Sequence, residues 1–279
     1  KVYHFNHRLL AEQAALSRAC AIIVSSNNEK NVQYAGYAAD SRKFFLIPPG
    51  VNIRRYRHFH IKRKDAAEKG VLSRFRLGLA RLPQKPWIFA LSRLDARKNL
   101  LGMVQAYVND DVLRTKTNLV FSPGVLDDLS AEQEKIIDRI RFVLSRKARD
   151  RQVLVLGEHL SADEVGALYR LAAKKRGVFV NTAFVEPFGL TTLEAMASGL
   201  PVAVTQNGGP RDVISPGENG LLFNPDNERD IADRIKTVLF EKGVWERLSE
   251  NGYRLAREKY AWKACAQKEL ALFQNVLGN

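Results

Sequence analysis

The chain has 279 residues, 46% hydrophobic and 27% charged, enough apolar material for a sizeable core and too much for a disordered or fibrous protein. No apolar run approaches the roughly 20 residues of a membrane span, and residues 1–10 lack the apolar centre of a signal peptide. Its two cysteines, Cys20 and Cys265, lie far apart, which argues against a disulfide scaffold or a structural zinc site and for a reducing cytoplasm. The formal net charge is +14, densest over residues 54–64, where arginines and lysines alternate with Tyr56 and Phe59. No nucleic-acid-binding module accompanies that run, so a solvated or phosphosubstrate-facing segment is expected there rather than a nucleic-acid or lipid surface.

In chain order, residues 6–19 read as a helix with Leu9, Leu10, Ala14 and Leu16 available for an apolar face. A short strand follows at 20–24, then Ser25 and Ser26 as a helix cap, then a strand at 44–47 ended by Pro48-Pro49-Gly50. A helix is expected over 66–79. From Pro86 strands and helices alternate: strand 87–91, helix 99–108, strand 119–122, helix 131–148, strand 153–156, helix 162–173, strand 178–181, a helix from Leu190 to Gly199, then strands 202–205 and 221–223. Helices over 228–240, 244–258 and 262–277 close the chain. Repeated βα units predict an α/β fold with a doubly wound parallel sheet and right-handed crossovers.

The chemistry falls in loops at the carboxyl ends of the predicted strands, where open α/β sheets bind ligands. Strand 178–181 leads through Glu186, Pro187, Phe188 and Gly189 into the helix at Leu190. The N–H groups of Leu190 and Thr191 have no intrahelical acceptor and, with the helix dipole, favour an anion. Glu186 precedes the helix and Glu194 is placed in its first turn; two carboxylates beside a phosphate-friendly helix end suggest a ligand carrying both phosphate and sugar hydroxyls. The loop after strand 87–91 brings Arg93 and Lys98, a guanidinium and an ammonium suited to a diphosphate. The plainer alternative pairs Arg93 with Asp95 and leaves Lys98 solvated. In a third loop, Asn207-Gly208-Gly209-Pro210, two glycines permit either close backbone approach to a ligand or a simple tight turn.

Taken together, Ser92-Arg93-Leu94-Asp95 with Lys98-Asn99, the run from Glu186 to Pro201 with its paired glutamates, and Asn207 to Pro210 resemble the carboxyl-terminal half of a retaining glycosyltransferase of the two-Rossmann (GT-B) type. Residues 168–181, Leu-Tyr-Arg-Leu-Ala-Ala-Lys-Lys-Arg-Gly-Val-Phe-Val-Asn, are similar to sucrose-phosphate synthases and, less closely, sucrose synthases. The resemblance implies three parts: residues 1–47 as the last helix and strands of an otherwise absent amino-terminal Rossmann domain, 48–261 as the nucleotide-sugar-binding domain, and 262–279 as a helix crossing back toward the first. It implies Arg93 and Lys98 on the donor diphosphate and Glu186 on the transferred sugar as the catalytic set. Phe188 and Gly189 would shape the sugar pocket, Leu190 and Thr191 offer backbone N–H groups to phosphate, and Glu194 hold the ribose hydroxyls. The base would lie against the loop carrying His159 and Leu160.

No Asp-x-Asp occurs, which fits a site where cations and a helix end replace a metal, so neither a cofactor nor Mg2+ is expected. The expected donor is UDP-glucose and the expected acceptor a phosphorylated sugar, fructose 6-phosphate; a GDP-mannose-type enzyme and a non-catalytic nucleotide-sugar module are the alternatives. The acceptor site, glycine-rich loop and catalytic histidine of such enzymes belong to the amino-terminal domain. The five histidines of this chain, His4, His7, His58, His60 and His159, are poor stand-ins. Weak or no activity is therefore expected from the chain alone, with the acceptor domain supplied by a longer protein or a partner.

Overall fold

In the computed structural model, which describes residues 4–61, 65–147 and 152–278, six short apolar runs assemble one parallel sheet. In chain order the elements are α1 (Phe5–Arg18), β1 (Ile22–Val24), β2 (Phe44–Leu46), α2 (Ala66–Arg74), α3 (Arg76–Arg81), β3 (Trp87–Leu91), α4 (Leu100–Asn109), α5 (Asp111–Lys116), β4 (Asn118–Ser122), α6 (Ala131–Lys147) and β5 (Val153–Val155). They continue with α7 (Ala162–Lys174), β6 (Val178–Asn181), α8 (Leu190–Ala197), β7 (Val202–Thr205), α9 (Pro210–Val213), β8 (Leu221–Phe223), α10 (Glu228–Phe240), α11 (Val244–Lys259) and α12 (Trp262–Leu277).

The main sheet runs β5-β4-β3-β6-β7-β8, every neighbouring pair parallel. Counted from β3 this is the order 3-2-1-4-5-6 of the doubly wound Rossmann fold, and the strand order reverses between β3 and β6. Alternate residues on the strands feed two cores. Phe89, Val120, Phe179, Val202 and Val204 face one, covered by α2, α7 and α8. Ile88, Ala90, Leu119, Phe121, Val178, Val180 and Ala203 face the other, under α4, α6 and α10. Burial on both faces explains why these strands are almost unbroken runs of Val, Ile, Leu and Phe.

The amino-terminal elements do not join this sheet. β1 and β2 form their own two-stranded parallel sheet, with Leu16, Ile22 and Val24 as a small separate core. Ser26 caps the helical turn after β1 by accepting from the Glu29 N–H. Ser26 Oγ also donates to the Pro187 carbonyl at 3.0 Å, and the Asn27 N–H donates to Asp212 at 2.6 Å, so the unit is seated on the loop before α8 and on α9. Of the expected apolar face of α1, only Leu16 is buried. Leu10, 69% exposed, has nothing packed over it, because two strands offer too little surface to cover the helix.

One other expectation changes. The helix over 66–79 is broken at Phe75, where the backbone leaves helical geometry (φ −101°, ψ 19°) and the ring is buried in the core. The short α5, capped by the Asp110 carboxylate on the Leu113 N–H, was not foreseen. The last residue assigned to the helix 131–148, and residues 62–64 of the basic run, lie outside the described residues. No described helix is long and apolar enough to cross a membrane.

Candidate active site

A cavity of about 570 Å³ opens where the strand order reverses, at the carboxyl ends of β3 and β6. Arg93 and Lys98 line it from the loop after β3, and Glu186, Pro187, Phe188 and Gly189 from the loop after β6. Leu190 and Thr191 line it from the start of α8, and Glu158, His159 and Leu160 from the loop after β5. Ser25 and Pro49 close it from the amino-terminal side. Nine of the ten residues singled out in the sequence thus face one space; Glu194 is the exception.

The polar groups are arranged by their loops. Lys98 Nζ lies 2.9 Å from Glu186 Oε2, with the two side chains only 22% and 13% exposed. Asn181, the last residue of β6, donates its Nδ2 to the same oxygen at 3.0 Å. The alternative that left Lys98 solvated and paired Arg93 with Asp95 does not hold. Asp95 is taken by Arg97 at 2.7 Å, and that bond holds its carboxyl down to about 2. Arg93 is left at the cavity wall without an ion-pair partner among the described residues. The two loops are tied together: Thr182 Oγ1 donates to the Asn99 carbonyl at 2.9 Å and the Phe184 N–H to the Arg97 carbonyl at 2.9 Å.

The α8 helix begins at Leu190, and Gly189 before it has no side chain with which to cap. The first-turn N–H groups of Leu190 and Thr191 are therefore unused by the helix and stand at the cavity, beside two cations. An anion of two linked phosphates would meet there an ammonium, a guanidinium and a helix end, while Glu186 and Asn181 would offer an acceptor and a donor to hydroxyls.

One expectation is corrected. Glu194 is the fifth residue of α8, so at 3.6 residues per turn it falls in the second turn, and no acidic residue occupies the first. Its carboxyl sits one turn beneath Leu190, within hydrogen-bond reach of Tyr169 Oη at 3.4 Å, and burial pushes it above the ordinary carboxylate value. The paired glycines after β7 lie close against the protein itself. Gly208 (φ +96°) lies against the Glu186 backbone, where an added Cβ would stand 2.1 Å from the Glu186 carbonyl oxygen. The Glu186 N–H bonds the Asn207 carbonyl at 3.1 Å and the Gly209 N–H bonds the Glu186 carbonyl at 2.9 Å. These glycines hold the loop that presents Glu186.

Sequence reasoning missed Asn181, Tyr56 and Tyr169. Asn181 carried a signal: an amide ends an otherwise apolar strand at the point where the sheet changes direction. Tyr56 and Tyr169 carried none, because a buried tyrosine looks like any aromatic core residue until its hydroxyl partner is known. Among the described residues no group of three His, Cys, Asp or Glu is placed to hold a metal ion.

The profile of the family described as glycosyl transferases group 1 matches residues 78–255. A sucrose synthase of Melioribacter roseus is 31% identical over 98% of this chain. The chain spans only 39% of that protein's length. Among solved structures, sucrose-phosphate synthase from Thermosynechococcus elongatus is 25% identical with a TM-score of 0.77, over 98% of this chain and 62% of that one. HepE from Anabaena, solved in complex with UDP-glucose, shares the fold at 19% identity and a TM-score of 0.77, over 98% of this chain and 68% of that one.

Proposed function

The chain belongs to the glycosyl transferases group 1 family, and on that premise we propose that it is the donor-binding half of a retaining glycosyltransferase that moves glucose from UDP-glucose to fructose 6-phosphate. The observation that carries the proposal is the single cavity shared by Arg93, Lys98, the free N–H groups opening α8, and Glu186. The names of the sucrose synthase and sucrose-phosphate synthase relatives support the acceptor class, and the HepE complex supports the UDP-sugar.

In this reading the diphosphate lies against Arg93, Lys98 and the α8 end, with the glucose toward Glu186 and Asn181. The bond from the anomeric carbon to the diphosphate breaks with its electron pair leaving on phosphate, while the acceptor hydroxyl oxygen bonds to that carbon and gives its proton to the departing phosphate oxygen. Cationic and N–H donors already in place stabilise the negative charge as it develops, and Glu186 holds the sugar hydroxyls. Lys98, freed from Glu186 by the arriving phosphate, then pairs with the leaving group. The loop 157–160 receives the base through His159 and Leu160, and Glu194 takes the ribose hydroxyls.

We further read residues 1–47 and 262–279 as the parts that meet an acceptor domain. Leu10, Phe45 and Leu46 of the amino-terminal unit and Trp262, Phe273 and Leu277 of α12 are exposed apolar side chains. A cytoplasmic enzyme fits the free Cys20 and Cys265. The test is calorimetry of the chain with UDP, ADP and GDP. UDP binding tightest, with glucosyl transfer to fructose 6-phosphate appearing only when an acceptor domain is joined to the chain, is the expected outcome. Absence of nucleotide binding, or full turnover by the isolated chain, would refute the proposal.

A further inference from the structure

Two phenols meet one carboxylate beneath the cavity. Tyr169 Oη lies 3.4 Å from Glu194 Oε2, and Tyr56, packed edge-on against the Tyr169 ring, brings its phenol beside the same carboxyl. Tyr169 is one turn along α7 from Val165, and Glu194 is one turn along α8 from Leu190; Val165 and Leu190 both line the cavity. The trio therefore sits directly under the wall between the two helices.

Neither phenol is free to drift. The Tyr169 ring packs edge-on against Phe89 of β3 (centroids 5.6 Å apart, 86°), Phe179 of β6 (5.5 Å, 74°) and Tyr56 (6.1 Å, 70°). Tyr56 belongs to no helix or strand and is delivered by the basic run. Arg170 of α7, 3% exposed, donates Nη1 to the Arg55 carbonyl at 3.0 Å and Nη2 to Asp65 at 2.5 Å. Asp65 also takes Arg57 Nη2 at 2.7 Å, Arg55 pairs with Asp163 at 2.8 Å, and the Phe59 N–H bonds the Ser198 carbonyl at 3.1 Å. Gly166 makes room, since a Cβ there would stand 3.0 Å from the Arg55 carbonyl oxygen. The arginines that suggested a nucleic-acid patch instead strap residues 52–60 onto α7, with Tyr56 turned inward.

A carboxylate accepts about four hydrogen bonds. Tyr169 takes one and the Tyr56 phenol lies beside it, which leaves lone pairs for a vicinal diol. We propose that Tyr56 and Tyr169 are positioning residues that aim Glu194 at the ribose of the donor, making the site selective for ribonucleoside over deoxyribonucleoside diphosphates, and that the basic strap exists to set Tyr56. The proposal rests on the donor-site reading above. Burial favours the neutral carboxyl and the phenols oppose it, so they also help keep Glu194 in the acceptor form.

The test is calorimetry of UDP and 2′,3′-dideoxy-UDP on the chain and on its Tyr56→Phe, Tyr169→Phe and Gly166→Ala variants, each checked for an intact melting transition. The unaltered chain is expected to prefer UDP. Each phenylalanine variant is expected to weaken UDP about 10-fold and leave the dideoxy ligand within about twofold, as loss of a bond to a charged group predicts. If Tyr169→Phe does not fold, Tyr56→Phe and Gly166→Ala carry the same expectation, the latter with a smaller loss. Equal weakening of both ligands in every folded variant, or an unchanged preference, overturns the proposal and leaves the donor site standing. Failure of the unaltered chain to bind either ligand overturns both.

Discussion

Lys98 and Glu186 are paired at 2.9 Å in a largely covered setting, so the ammonium is already neutralised where the proposed diphosphate would bind. On the proposed reading the donor would exchange one anion for another at Lys98, with the released Glu186 carboxylate held by Asn181. Lys98→Ala removes the donor aimed at the leaving group, so turnover with the acceptor domain present is expected to fall about 100-fold, as removal of one preorganised stabiliser does. Initial rates at saturating UDP-glucose check this. Glu194 adds a pH dependence. Tyr56, Tyr169 and Arg55 are the groups that face it, and burial nevertheless raises its carboxyl above 4.5. Because the folded form keeps its proton to a higher pH than the unfolded chain, this group's contribution to stability falls as pH rises from 4.5. In the proposed site ribose binding needs the carboxylate, so UDP affinity runs the other way. It is expected to weaken on acidification before an ordinary carboxylate would protonate, and Glu194→Gln is expected to remove that inflection from a calorimetric pH series.

Elements differ in how plainly the residues announce them. The strands of the main sheet were legible because burial on both faces demands unbroken apolar runs, and β6, α8 and β7 were placed nearly to the residue. Glu194 was put one turn too early, since the start of α8 was known but the rise of the chain around it was not counted. The glycines at 208 and 209 signalled close approach without naming its object: periodicity cannot say which loop will lie opposite. The basic run was opaque for the same reason, because its partners Asp163 and Arg170 lie about a hundred positions away in the chain. Two predictions belong here. Gly208→Ala forces a side chain into the left-handed region against the Glu186 carbonyl, so a loss of about 2 kcal/mol in denaturant unfolding is expected, together with weaker UDP binding. Asp65→Asn leaves the guanidiniums of Arg57 and Arg170 facing each other in a covered site, and a loss of about 3 kcal/mol or more is expected from the same measurement.

At the scale of the molecule, the six-stranded domain has two complete cores, whereas the amino-terminal unit and α12 each present uncovered apolar side chains. Leu10→Glu combined with Phe273→Glu is therefore expected to leave UDP affinity of the chain unchanged and to abolish the activity gained on joining an acceptor domain. Retained activity would show that those side chains do not meet it.

The bond from Ser26 to the Pro187 carbonyl has a mechanical meaning. It grips the peptide next to Glu186, while the strand-like pairing of Glu186 with Gly208 grips the residue from the opposite side. A displacement of the amino-terminal unit of only ~1 Å must either snap that bond or drag the peptide along, since hydrogen bonds tolerate little stretch. The sugar-side carboxylate is thus geared to whatever moves the small sheet, with a lever one residue long.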